Sequence, residues 1–462
     1  MDAVRASAPR VAVDRLRPGD VLELATDVGP APSNVGALLL LSGDVPADAV
    51  QDALVDRLGR VRRLADRVVS PPRPLGRPYW ARDPGFDVRD HLSQLRCVRT
   101  DDDALLAVAT DAVTSPLPRH RPLWRVSVLV GPAGTAVGVV VVLHHVITDG
   151  VGGLVLLARL ADGVDVAARH DTAGSRRGPT TGALARDVLA RALAGLRGAP
   201  ASARLLARGA VELGVSGHGA VLAPRTSVNA PTGPCRRVTV VDVDLVGVRQ
   251  ASRRHDATVN DVLLVAVAGA LGRLLAGRGE HPPELVVSVP VSGRPSGRDD
   301  LGNDVGVMPV RVPVHGTRAE RLACVSRRTR AQKAAGRGSS SALVGPAFRL
   351  LARLGLFPAL IDRQRLVNTF LSDVRGPSQP LLLSGAPVVR TIPLVVSAGN
   401  VAVAFAALSY AGRLTVSVVV DPELVPDLEV LRAGLEDELR DVLRDVLPRG
   451  GAQDGVLHEP GA

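Results

Sequence analysis

Residues 123–160 read LWRVSVLVGPAGTAVGVVVVLHHVITDGVGGLVLLARL. Two Val-rich runs, Leu123–Val130 and Val137–Leu143, flank the turn residues Gly131-Pro132-Ala133-Gly134, so they predict two strands joined by a tight turn. The second run is apolar throughout and β-branched, which suits a central strand buried on both faces. Two histidines end it, Asp149-Gly150 follow, and an apolar helix-like run, Val151–Leu160, comes directly after. A buried strand, a loop rich in chemistry and a helix are the ingredients of an α/β protein.

Working outward, Val35–Leu41 (VGALLLL) reads as another buried strand. Val50, Leu54, Leu58 and Val61 then recur at helical spacing behind Asp44 and Pro46, residue types that favour a helix start. From Asp162 to about Arg237 the composition changes. Residues 169–181 are polar and turn-rich, and Ala183–Val211 is helical in pattern with five arginines opposed only by Asp187. A second block runs from Arg237 to Leu447. Its predicted strands are Val238–Val243, Leu285–Val291, Gly306–Val312, Val401–Ala407 and Leu414–Val420, and its predicted helices Val259–Leu275, Leu343–Leu354 and Pro426–Leu443. The expected division is a first domain over 1–165, a basic helical connector over 166–236, a second domain over 237–448 and a Gly-rich disordered tail over 449–462.

A chain of 462 residues is long enough for two buried cores. Aromatics make up only 2%, so Val, Leu and Ala must build those cores. The net charge of +10 rests on 56 basic residues, of which Lys333 is the one lysine. Such a field attracts CoA phosphates or acidic lipid surfaces. Nucleic acid is the weakest partner class, because stacking aromatics are missing. Cys97, Cys235 and Cys324 show no CxxC spacing, which fits a reducing cytoplasm and supplies neither a disulfide framework nor a metal site. The first twenty residues lack an apolar core of signal-peptide length. Val126–Thr148 and Thr391–Gly412 are long uncharged windows, but turn residues interrupt both, so strand pairs explain them better than a membrane helix. The expectation is a soluble or peripheral protein.

Histidine titrates near neutrality and can both take and return a proton, so His144-His145 are the candidates for general-base chemistry. Adjacent residues at a strand end point in opposite directions, which lets one histidine face a cleft while the other packs inward. Asp149 can turn back to orient the loop, and Gly150 lets the backbone pass close to its neighbours. Thr258 and Asp261 form a capping-box pattern for the helix that follows, with Asn260 left over as a candidate for holding an oxyanion or a phosphate.

The HHxxxDG pattern of His144, His145, Asp149 and Gly150 resembles the signature of chloramphenicol-acetyltransferase-type acyltransferases. Within that group the chain is similar to the bacterial wax ester synthase/diacylglycerol acyltransferase family. Arg121-Pro122-Leu123-Trp124 resembles its PLW motif and Thr258-Val259-Asn260-Asp261-Val262 its ND motif. Ser288-Val289-Pro290-Val291-Ser292 with Arg294 resembles its PVS segment, Leu301-Gly302-Asn303 its GN segment, and Ser409-Tyr410 with Gly412-Arg413-Leu414 its SYxGxL strand. The match covers about residues 14 to 447. Two segments depart from the pattern: Arg17-Pro18-Gly19-Asp20 stands where SPLD is usual, and Ser372-Asp373-Val374-Arg375-Gly376-Pro377 where SNVPGP is usual.

The resemblance implies two chloramphenicol-acetyltransferase-like domains with mixed sheets joined by a helical crossover. It implies acyl-CoA as co-substrate, no permanently bound cofactor, and diacylglycerol or a long-chain alcohol as acceptor. His145 is then the base, with His144, Asp149 and Gly150 completing the motif. Asn260, Ser292, Arg294 and Trp124 are candidates for substrate or oxyanion contacts. Arg294 has a solvated reading and a reading as the buried partner of Asp149, and Trp124 also has a reading as core packing. The basic connector suits peripheral contact with an anionic inner membrane face or lipid inclusions, or else a solvated linker face. Competing expectations are a relative that uses carrier-bound acyl groups and a binding protein without turnover.

Overall fold

A computed structural model describes residues 13–148, 150–163, 178–194, 222–292, 305–334, 348, 351–352 and 354–444. The chain builds two six-stranded mixed sheets. The first begins with α1 (Pro18–Thr26), β1 (Asn34–Leu41) and α2 (Ala47–Gly59), and continues through the short pair β2 (Asp66–Val69) and β3 (Tyr79–Arg82). β4 (Leu92–Arg96), α3 (Asp102–Thr114), β5 (Trp124–Val130), β6 (Ala136–His144) and α4 (Gly150–Arg159) complete this half. The hairpin read from the sequence is β5–β6, paired antiparallel. β6 is central, with β1 on its other side, and Val139 to Val142 are all buried. α3 packs over β1 and β6, α2 over β4 and β5. Gly36 on β1 lets two layers meet: a Cβ there would stand 2.5 Å from the Val141 carbonyl oxygen and 3.5 Å from Val113 of α3.

The second half contains β7 (Arg237–Asp244), α5 (Leu245–Arg254), α6 (Val259–Gly277), β8 (Glu284–Ser292), β9 (Val305–Pro313) and α7 (Arg318–Ala334). It continues with α8 (Phe357–Ile361), β10 (Thr369–Arg375), β11 (Leu382–Leu383), β12 (Ala386–Val395), β13 (Val403–Tyr410), β14 (Arg413–Val420) and α9 (Leu428–Arg444). The sheet order is β7-β14-β13-β10-β8-β9. α6 is apolar along most of its 19 residues, with Arg273 reaching out to pair with Asp437. It is long and apolar enough to cross a membrane, yet Val262 to Ala268 are all buried among the sheet and its companion α9. A helix hydrophobic over most of its surface belongs inside a core as readily as inside a bilayer.

The expected division of the chain meets one departure. β11 and β12 leave the second half and join the first sheet, where β12 pairs antiparallel with β1 and Ile392 faces Leu38. In the sequence this strand enters only through the uncharged window Thr391–Gly412, read as a strand pair within the second block, because nothing in a strand's own pattern names its partner. Two anchors hold the crossing. The Tyr410 hydroxyl donates to the Val388 carbonyl at 2.8 Å and accepts from the Leu381 N–H at 2.7 Å. Arg390, on β12, pairs with Asp102 of α3 and with Asp242 of β7. Tyr410→Phe leaves that carbonyl and N–H without their partner, so we expect it to lower unfolding free energy by about 2 kcal/mol. Urea denaturation of the two proteins measures this, and an unchanged midpoint would contradict the anchoring role.

The basic connector is described over 178–194, where 181–194 is helical. Leu184 packs with Val13 and Tyr79, and Asp187 pairs with buried Arg15 at 2.9 Å. The remainder of the expected helix, the predicted 343–354 helix apart from residues 348, 351–352 and 354, and the 449–462 tail lie outside the described residues.

Candidate active site

β6 ends in His144, and the chain leaves the sheet at His145. Three elements fix this end. Asn34 of β1 stands opposite His144, and the His145 N–H donates to the Ser33 carbonyl at 2.9 Å. Asp27, just past the end of α1, accepts from the Ser33 N–H at 2.9 Å and from His144 Nε2 at 2.9 Å, and pairs with Arg119. His144 Nδ1 accepts the Val146 N–H at 3.0 Å. These partners assign the proton of His144 to Nε2, since Nδ1 must present its lone pair. Burial alone would raise the Asp27 carboxyl, but hydrogen bonds from His144 and Ser33 and the Arg119 charge hold it below the usual carboxylate range. His144 is buried with both ring nitrogens in use, whereas His145 is half-buried. The two histidines therefore have different jobs.

The segment that replaces SPLD lies beneath this loop. Asp20 is buried and accepts from the Arg17 N–H at 2.8 Å, closing the first turn of α1. A polar cavity lined by Asp14, Arg15, Arg17, Asp20, Arg63 and Trp80 reaches the loop at Ile147.

Gly150 opens α4 where the two halves meet. A Cβ on it would lie 2.9 Å from Val374 Cγ2 and 4.0 Å from Ser372 Oγ, so the strand carrying the altered 372–377 segment abuts the motif directly. β10 pairs with β13 as far as Arg375 but with β8 only at Thr369 and Phe370, so β8 and β10 part beside the motif. Asp373 lies between the two residues that face Gly150. Its side chain is exposed, with exposed Arg375 two residues along the strand. A methyl group at position 150 must displace Val374. We expect Gly150→Ala to cut kcat roughly tenfold, as sub-ångström misplacement does at reacting centres, with a melting temperature close to wild type. Steady-state kinetics beside thermal melts test this, and full activity would show that the close packing is incidental.

The remaining sequence candidates fall in different places. Trp124 is 2% exposed. Its Nε1–H donates to the Leu64 carbonyl at 2.6 Å, and its ring stacks on His91 with centroids 4.5 Å apart. Of the two readings of Trp124, this geometry fits core packing rather than substrate contact, since its one polar atom is committed to the Leu64 carbonyl. Asn260 is half-buried at the start of α6, and no hydrogen bond among the described residues joins it to the 144–148 loop. Its neighbour Asp261 is buried and structural. It accepts from the Thr258 N–H at 2.8 Å and from Thr329 Oγ1 at 2.8 Å, fastening α6 to α7. Ser292 ends β8 opposite Val305, with its side chain outside the description. Asp149 and Arg294 lie outside the described residues. Sequence reasoning missed Asp27, which sits 117 residues from His144 and carries no local signal beyond following a helix. Among the described residues no group of three or more His, Cys, Asp or Glu side chains could hold a metal ion.

Comparison with known proteins places this geometry. The family model for the wax ester synthase/diacylglycerol acyltransferase catalytic domain matches residues 16–263, and that for the WS/DGAT C-terminal domain matches residues 301–442. The chain belongs to the wax ester synthase/diacylglycerol acyltransferase family. A probable diacylglycerol O-acyltransferase of Mycobacterium tuberculosis, tgs1, is 32% identical over 448 residues, covering 92% of this chain and 95% of that protein. The wax ester synthase/diacylglycerol acyltransferase of Marinobacter aquaeolei VT8 has the same fold, with a TM-score of 0.64 at 22% identity over 94% of this chain and 99% of that one. The first condensation domain of the CDA synthetase also shares it, with a TM-score of 0.61 at 19% identity over 94% and 97%. As a member of the wax ester synthase/diacylglycerol acyltransferase family, the chain is an acyltransferase.

Proposed function

We propose that this acyltransferase moves a fatty acyl group from acyl-CoA to the hydroxyl of a diacylglycerol or a long-chain alcohol, with His145 as general base. The observation that carries the assignment is the difference in setting: His144 is buried with both ring nitrogens on Asp27 and Val146, whereas His145 keeps part of its surface open to solvent where the chain leaves β6. His145 takes the proton of the acceptor hydroxyl as its oxygen attacks the thioester carbonyl. The new C–O bond forms, the C–S bond breaks, and the departing thiolate receives that proton from the imidazolium. No acyl-enzyme is needed. Cys97 is buried, which raises its thiol and disfavours the nucleophilic thiolate.

The tgs1 relative is named for diacylglycerol acylation, which favours that acceptor, and the net charge of +10 favours an anionic CoA ester as donor. The proposal puts the enzyme in the cytoplasm, in peripheral contact with the inner membrane face or lipid inclusions. The test is release of free CoA from palmitoyl-CoA with hexadecanol or dioleoylglycerol. Acceptor-dependent release identifies the preferred alcohol class. Silence with both alcohols, from folded protein that turns over a carrier-bound acyl group, would overturn the CoA assignment.

A further inference from the structure

Five leucines stand out on the second half because they are bare: Leu222, Leu354, Leu356, Leu360 and Leu366 are each between 37% and 60% exposed. Single exposed leucines are ordinary on any surface. These are grouped. Leu354 and Leu356 flank Gly355, which turns the chain at φ +70°. Leu360 follows Leu356 by one helical turn, its N–H donating to the Leu356 carbonyl, so the two share a face. Leu366 and Leu222 are brought side by side because the Ala223 N–H donates to the Arg365 carbonyl at 2.7 Å while Arg365 Nη2 donates to the Ala223 carbonyl at 3.1 Å.

The inner side of this segment is firmly seated. Phe357 is 3% exposed and packs edge-on against Phe348. The Asn400 N–H donates to the Ile361 carbonyl, and Gly399 leaves room for the Ile361 side chain, which a Cβ would meet at 2.6 Å. The leucines are thus held outward by a supported turn. Among the described residues the charges beside them lean positive: Arg225 and Arg363 are exposed and Arg365 half-buried, against half-buried Asp362 and Glu280, which accepts from the Ser227 N–H.

We propose that this leucine patch, rimmed by Arg225, Arg363 and Arg365, is the surface by which the enzyme docks on an anionic lipid interface. The leucines enter the acyl boundary and the guanidiniums meet the headgroup phosphates. This rests on the lipid-acceptor reading above and moves the expected contact away from the 183–211 connector.

The test uses the full chain and sedimentation with vesicles of equimolar phosphatidylcholine and phosphatidylglycerol, beside vesicles of phosphatidylcholine alone. The wild type is expected to partition onto the anionic vesicles, and to do so less at high salt. Leu354→Ser/Leu356→Ser/Leu360→Ser should lower that partitioning by roughly tenfold or more at an unchanged melting temperature. Arg225→Gln/Arg363→Gln should remove most of the salt-sensitive part. Leu356→Trp adds a direct probe, whose emission should shift to the blue on the anionic vesicles. Wild type that does not sediment, a serine variant that binds as wild type does, or an emission spectrum of the Leu356→Trp variant unmoved by vesicles each overturns the proposal. So does self-association that the serine changes abolish without any vesicle binding. Butyryl-CoA with butanol, both soluble, separates the two ideas: turnover there with no vesicle binding keeps the acyltransferase reading and sinks the docking surface. Vesicle binding without turnover does the reverse.

Discussion

His145→Ala will lose roughly a hundred- to ten-thousandfold in kcat, the range a positioned general base supplies, while KM for acyl-CoA stays near wild type. The substitution removes a half-buried ring at a loop and leaves the backbone bond to Ser33 in place, so the melting temperature should move by only a few degrees. His144→Ala is the informative companion. His144 is locked between Asp27 and Val146, so its loss should damage stability as well as rate. A folded His145→Ala enzyme that keeps a tenth of wild-type activity would end the assignment. A His144→Ala enzyme that is stable but equally dead would exchange the roles of the two residues.

The second large effect is expected at Asp27. Asp27→Ala leaves the buried His144 Nε2–H and the Ser33 N–H without acceptors, a loss of about 2–3 kcal/mol in stability. It also frees the strand end that carries His145, so kcat should fall at least tenfold. Asp27→Asn retains one oxygen and should be milder in both respects. The pH dependence has a definite sign. The folded-state pKa of Asp27 lies below its ordinary value of 3.8, so its contribution is present above that value and disappears as pH falls through the lower folded one. Wild type should therefore lose its advantage over Asp27→Ala in acid below about pH 4. Guanidinium titrations at pH 7 and at the acid limit measure this, and a gap of equal size at both would remove the charge from the account.

Much of this molecule is readable from the linear chain, and the reason is locality. The β5–β6 hairpin, the all-apolar β6, α2 with Leu54 and Leu58, and the Thr258–Asp261 cap of α6 each depend on residues a few positions apart. Periodicity and turn chemistry report them directly. The His-His-x-x-x-Asp-Gly pattern is equally local, and it marks the place we propose for the chemistry. What the chain hides is non-local. Nothing near Asp27 points to His144, and nothing in Ala386–Val395 points to β1. Trp124 carries both a core and a substrate reading in the sequence, and what separates them, the Leu64 carbonyl that takes its indole N–H, lies sixty residues away. Tyr410 belongs to a motif visible in the sequence, yet its use as a clasp for Leu381 and Val388 emerges only once the crossing strand is in place.

That crossing strand also governs how the protein can be made. Until Ala386–Val395 leaves the ribosome, β1 has a partner on one side alone, and its VGALLLL run presents an open, apolar edge of the kind that recruits other chains. The first half cannot mature while the second is still being translated, as a sequential domain would. Its last strand arrives only after β7 to β10 of the second half have been made, and Leu38 must wait for Ile392. A pairing so distant in sequence slows assembly and extends the time during which that edge lies bare. Expression in two separate pieces would leave one fragment with the edge and the other with the strand made to cover it.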